Sequence, residues 1–178
     1  MKQGSFAVGA VLGGIGAAFL SLMVFSIYHI RDNEYGEHVA FAMSGIPVMS
    51  HISLSYLRTC PQDTVGLIDG DSVMGRLMVF YSDDDKVLAN TLIGCGQPIE
   101  LADIHGLRPL HSAILSENEA GVRFMISRGA DLAAPIAGDG EHKGQTPLRF
   151  AKALRAQATD KSRLDQIIRH LEELGARD

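Results

Sequence analysis

The sequence predicts an all-α fold built as a short stack of helix–turn–helix units, and three observations predict it. Gly106-Leu107-Arg108-Pro109-Leu110-His111-Ser112-Ala113 opens on a turn glycine and puts Pro109 at a first helical position, where an N–H needs no partner. Leu110 and Ala113, three apart, then face inward. The pattern returns as Gly144-Gln145-Thr146-Pro147-Leu148-Arg149-Phe150-Ala151. Behind the first copy, Glu119 to Arg128 carries Val122, Met125 and Ile126 on one stripe and ends at Gly129. A unit of this kind cannot bury its apolar face alone and has to stack on a copy of itself.

Taken in order, the chain begins with a short segment, residues 1–5, and an uncharged apolar run from Phe6 to Tyr28. The run is long enough for a membrane-spanning helix, and residues 6–30 are expected to form a single transmembrane anchor. A cleaved signal peptide is the alternative, but the run is longer than a typical signal core and lacks a small-residue cleavage pattern. Lys2 on one side and Asp32, Glu34 and Glu37 near Arg31 on the other put the amino terminus inside and the main domain outside. Gly9, Gly13, Ala17 and Ser21 recur every fourth residue, a spacing that could support weak self-association, although small residues are common in membrane helices.

Residues 31–70 form a juxtamembrane segment and N-terminal cap. Val39, Phe41, Met43, Ile46, Val48 and Met49 are too apolar for a disordered tether. Ser50–Thr59 alternates at Ile52, Leu54 and Tyr56 as a strand would, yet its place before a helical stack favours a capping helix. Residues 71–178 form the stacked domain. Helices are expected at Ser72–Tyr81 and Asp84–Ile93, with Asp83-Asp84-Asp85 capping the second. The final helix, Ser162 to Leu174, turns Leu164, Ile167, Ile168, Leu171 and Leu174 inward.

The two quoted segments, with Gly129-Ala130-Asp131 behind the first, resemble the ankyrin repeat. Pro109, Leu110, His111 and Ala113 match that family's motif, as do Thr146, Pro147, Leu148 and Ala151. Arg108 stands where the family has its capping Thr, and Arg149 where it has His. About one ankyrin period earlier, Gly96 and Leu77 fall in register, so the resemblance covers about residues 71–176 and implies a solenoid of about three repeats. It further implies a binding module without a cofactor that grips another protein by its finger loops and concave face. With the expected anchor, the chain looks like a bacterial inner-membrane immunity protein whose periplasmic domain occludes a secreted toxin or effector enzyme. The alternative is an envelope scaffold supporting a periplasmic enzyme.

Composition narrows the chemistry. A formal charge of −5 over 178 residues argues against a general nucleic-acid binder. Seven histidines invite a metal or catalytic reading, but no paired His/Cys spacing, HExxH or G-x-S-x-G is present. No catalytic, metal or cofactor residue is assigned, and a non-enzymatic role is expected. The connection from Gly129 to Gly144 is long for a finger, and long loops tend to be functional or disordered. Ile136 is expected to be its apolar contact tip, with Asp139, Glu141 and His142 making polar contacts around it. Cys60 and Cys95 can be read as a disulfide or as two buried thiols.

Overall fold

The computed structural model describes residues 42, 47–60, 67–68 and 71–177. The helices are α1 (Pro47–Leu57), α2 (Val73–Phe80), α3 (Lys86–Gly94), α4 (Pro109–Leu115), α5 (Glu119–Ser127), α6 (Pro147–Gln157) and α7 (Ser162–Glu173). Helices α2–α3, α4–α5 and α6–α7 form three successive pairs. The first helices lie side by side, α4 between α2 and α6, while α5 packs on α7 behind them. Met74, Leu77 and Met78 of α2, Leu110, Ala113 and Ile114 of α4, and Leu148 and Ala151 of α6 are buried along the shared seam. Leu92 of α3, Val122 and Met125 of α5, and Ile167 and Leu171 of α7 close the core from the second layer. Helix α1 packs against α3 at the outer end of the stack, as the capping-helix reading expects.

The expected architecture needs two corrections. Among the described residues no helix is long and apolar enough to cross a membrane. The longest, α7, has 12 residues, against the roughly 20 that a bilayer core requires. The expected anchor at 6–30, its small-residue stripe and the readings of Val39, Phe41, Met43 and Ile46 lie outside the described residues. Single-pass placement in an inner membrane, with a periplasmic domain, is withdrawn accordingly.

The chain is helical, as the all-α reading expects, apart from one two-residue ladder among the described residues. Leu67–Ile68 (β1) and Asp71–Ser72 (β2) pair antiparallel, Leu67 with Ser72 and Ile68 with Asp71, just before α2. The helix pairs, finally, are not regular repeats of a solenoid. The first helices have 8, 7 and 11 residues and the second helices 9, 9 and 12. The joins differ too: a 3-10 turn at Asp83–Asp85 links α2 to α3, whereas a short turn through Glu117 links α4 to α5.

Local chemistry sets these boundaries. Ser72 caps α2, its Oγ accepting from the Gly75 N–H at 3.3 Å. Thr146 caps α6 in the same way and donates its hydroxyl to the Arg177 carbonyl at 3.0 Å, tying down the chain end. Arg108 gives α4 no side-chain cap, so only Pro109 at its start relieves the unpaired N–H groups. In the acidic turn the cap is Ser82, whose N–H and hydroxyl both donate to Asp85 Oδ2 at 2.8 Å. The three aspartates thus close a turn before α3 instead of capping α3 through their side chains. Leu174, expected inward, is 48% exposed, because the helix has ended and Gly175 turns the chain away.

Asn118 fastens the first pair to the second. Its Oδ1 accepts from the Gly121 N–H at 3.1 Å and so caps α5. Its Nδ2 donates to the carbonyls of Met78 at 3.1 Å and Tyr81 at 2.8 Å, which α2 leaves unpaired at its end. Gly121 lets the two backbones approach: a Cβ there would stand 2.9 Å from the Met78 carbonyl oxygen. Replacing Asn118 with Ala removes a cap and strands carbonyls of α2, and it is expected to cost about 2 kcal/mol by urea denaturation. Asn118→Asp keeps the cap but sets a carboxylate against those carbonyls, and it should cost at least as much.

A disulfide joins Cys60, just past α1, to Cys95, just past α3, across 35 residues with the Cα atoms 5.1 Å apart. The thiol reading of this pair does not apply.

Candidate interaction surface

A groove runs between α2 and α4 and is walled by the loop at residues 103–107. It encloses about 290 Å3. Small side chains make its floor: Ser72, Gly75, Ser112 and Ser116. A Cβ on Gly75 would come within 3.1 Å of Ser112 Oγ, so this glycine is what lets α2 and α4 close at the floor. Val79, Leu107 and Leu115 supply apolar walls, and Arg76, Asp103 and His105 bring charge and hydrogen-bonding capacity to one side. Leu115 is 50% exposed. Ile104, on the wall loop, is 67% exposed, and Phe80, at the end of α2, is 72% exposed.

The wall loop is rigidly made. Asp103 Oδ1 accepts from the N–H groups of His105 at 2.9 Å and Leu107 at 2.8 Å, folding the loop over its own side chain. Gly106, at φ +77°, packs backbone to backbone against Gly138 of the next loop, where a Cβ on either would sit 1.8 Å from a backbone atom. The Ala137 N–H also donates to the Gly106 carbonyl at 3.2 Å. Further in, Glu100 links the same two loops: Oε2 pairs with Arg108 at 2.9 Å and Oε1 accepts from the Asp131 N–H at 2.9 Å.

The long connection from Gly129 to Gly144 lies beside this wall, and its structure redistributes the roles expected of it. Ile136 is not a contact tip. It is 4% exposed and part of the core, and its N–H and carbonyl pair with Gln145 O at 3.0 Å and Gly144 N at 2.9 Å. Ala134 is buried as well. The apolar part of the loop thus fills a gap between the second and third pairs, which a single sequence cannot distinguish from an exposed tip. Asp139 and Glu141 are exposed, with Asp139 ion-paired to Lys143. His142 turns inward, its ring edge-on to Phe150 at 5.0 Å. The four expected binding residues therefore divide between outside and inside instead of forming one patch.

His111, the motif histidine, is fully buried beneath this loop, 5.9 Å from the Phe150 ring. Burial, followed by the nearby Arg108 guanidinium, lowers its pKa to about 4, with the Gln145 backbone acting in the opposite sense. Neither ring nitrogen meets hydrogen-bond geometry. The side chain is thus a neutral packing element between the α4 and α6 units. Among the described residues, no group of three or more His, Cys, Asp or Glu is placed to hold a metal ion.

Sequence reasoning did not find the groove. Its residues come from α2, the 103–107 loop and α4, and each alone reads as an ordinary helix or turn position. The available signal was Gly75, a helix-interior glycine that carries an intrinsic cost unless something packs closely on it. No protein-family model matches the chain, and a search of curated proteins finds no match.

Proposed function

We propose that this chain is a non-enzymatic protein-binding module whose contact face is the α2–α4 groove and the exposed edge of the adjoining loops. The observation that carries the reading is a preformed concave surface with half-exposed Leu115 on its wall. Exposed Ile104 stands in the wall loop between the lining residues Asp103 and His105, and exposed Phe80 lines an adjoining hollow that shares Val79 and Ser116 with the groove. Solvent-exposed apolar side chains gathered at a concavity mark interaction sites, because burying them there stabilises a complex. Asp139 and Glu141 add charge on the loop beside the wall, where rim groups steer a partner more than they hold it. The narrower reading, an immunity protein that covers an antibacterial effector, draws on the ankyrin resemblance and the occluding shape of such a surface.

The test is a comparison of the full chain with Leu115→Asp and Phe80→Asp in affinity capture from its own cells, with calorimetry on the partner identified. Both positions are exposed, so folding should be unchanged by circular dichroism. Partner affinity is expected to fall at least about tenfold for Leu115→Asp, or about 1.4 kcal/mol. Full affinity in the folded variant would remove the groove from the interface. Protection of a sensitive strain by the wild-type chain, lost in Leu115→Asp, would support the immunity reading.

A further inference from the structure

We propose that the connection at 131–145 is an acid-sensitive clasp on the groove wall, shut over a neutral His111 and lifted when that ring takes a proton. Its consequence for binding rests on the groove being the contact face, whereas its test reads the clasp without any partner. Three contacts build the clasp. At the near end the Asp131 N–H donates to Glu100 Oε1, while Glu100 Oε2 holds Arg108 at the start of α4. In the middle the Ala137 N–H donates to the Gly106 carbonyl of the wall loop at 3.2 Å, beside the close Gly106–Gly138 backbone contact. At the far end the backbone of Gly144 and Gln145 bonds that of Ile136 and leads into α6. Ile136, buried in the core, keeps the connection down at neutral pH.

Polar chemistry at the same junction works against that apolar hold. His111 is fully buried in α4, near the Gln145 backbone and the Phe150 ring. Its ring nitrogens, His142 Nδ1 and Gln145 Oε1 are buried without a hydrogen-bond partner in good geometry among the described residues. A proton on His111 therefore places a charge where water has been removed. Arg108 adds like charge, and its counter-ion Glu100 is shared with the Asp131 N–H. Helix α4 packs on α2, α5 and α6, and their charges are turned elsewhere. Arg76 of α2 and Arg149 of α6 are exposed, and Glu119 and Arg123 of α5 pair with each other. On the loops, Asp139 pairs with Lys143, Asp103 accepts from its own turn, and His105 is exposed.

The sign follows from burial. The closed ring has its pKa lowered to about 4, first by lost water and next by Arg108, whereas a ring returned to water titrates near about 6.5. The lifted state binds the proton more readily, so acid shifts the loop toward it. The Ala137–Gly106 bond breaks in the same motion, and the wall at 103–107 loses the support of the neighbouring loop. A partner seated in the groove at neutral pH is released in mild acid.

Hydrogen exchange on the full chain at pH 7 and pH 5, each amide corrected for its intrinsic rate, tests this. At pH 5 ordinary carboxylates stay largely ionised, so the histidines are what changes. Protection of the Ile136, Ala137 and Gly144 N–H groups should fall at least about tenfold from pH 7 to pH 5. At pH 5 it should also lie at least about tenfold below that of the core amides of α5 and α7, which report unfolding of the whole domain. His111→Gln should remove the pH response at those three amides, and His142→Gln should keep it. Equal protection of loop and core at pH 5 would overturn the proposal, because the loop would then open only with the whole fold. So would a wild-type loop whose protection does not change with pH, a result that needs no variant to fold, or a response that follows His142. A clasp that opens as expected in a chain whose groove variants keep full partner affinity would support the clasp and overturn the groove reading alone.

Discussion

Ile136→Ala is expected to lower stability by about 2–5 kcal/mol, the range for truncating a large buried aliphatic residue. The position lies at the end of neither a helix nor a strand, and on sequence it belongs to an insertion. Yet its side chain is 4% exposed within the core, and its backbone is bonded on both sides to the Gly144–Gln145 segment that leads into α6. Shortening 134–142 to an ordinary finger should therefore cost stability instead of leaving it unchanged, because Ala134, Ile136 and the Gly138 contact with Gly106 would go together. A urea midpoint equal to that of the wild type in either variant would show that the loop is not part of the folded core. Asp139→Ala and Glu141→Ala, both at exposed positions, are the controls and should leave the midpoint within about 0.5 kcal/mol.

The second large effect is a loss of stability in mild acid that traces to His111. Its pKa in the folded chain is about 4, below the usual 6.5 of a histidine side chain. The unfolded chain therefore binds more protons between those values, and stability falls as pH drops from 6.5 and levels off below 4. Integrated to pH 4, the cost is about 3 kcal/mol. The charged form is disfavoured first because the ring has lost water and next because Arg108 adds like charge, and the Gln145 backbone offsets only part of this. Urea denaturation of the wild type and of His111→Leu at pH 7 and pH 4 isolates the contribution of this side chain. Carboxylates such as Asp160 and Asp165, whose pKa values are lowered by hydrogen bonds from Ser162 and Arg155, titrate in both proteins and cancel in the difference. An equal acid loss in the two proteins would show that His111 is not the group responsible.

The sequence by itself determined the local elements of the helical domain. Proline at the first helical position, and Gly129 and Gly175 past helix ends, act within a turn of where they stand, whereas the capping roles of Ser72 and Asn118 came from the structure. Apolar periodicity likewise identified Leu110, Ala113, Leu148, Ala151, Leu164, Ile167 and Leu171 as buried, because a helix face is set by spacing alone. Tertiary structure decided what depends on a partner far along the chain. Ile136 is buried because the second and third pairs leave a gap for it, and Leu174 is exposed because α7 has ended and Gly175 turns the chain away. Gly106 and Gly138 matter only once two loops meet, and Cys60 finds Cys95 only once α1 lies on α3. The groove is of the same kind. Its walls and floor come from α2, α4 and the loop between the pairs, and no stretch of sequence carries a concavity that only packing creates.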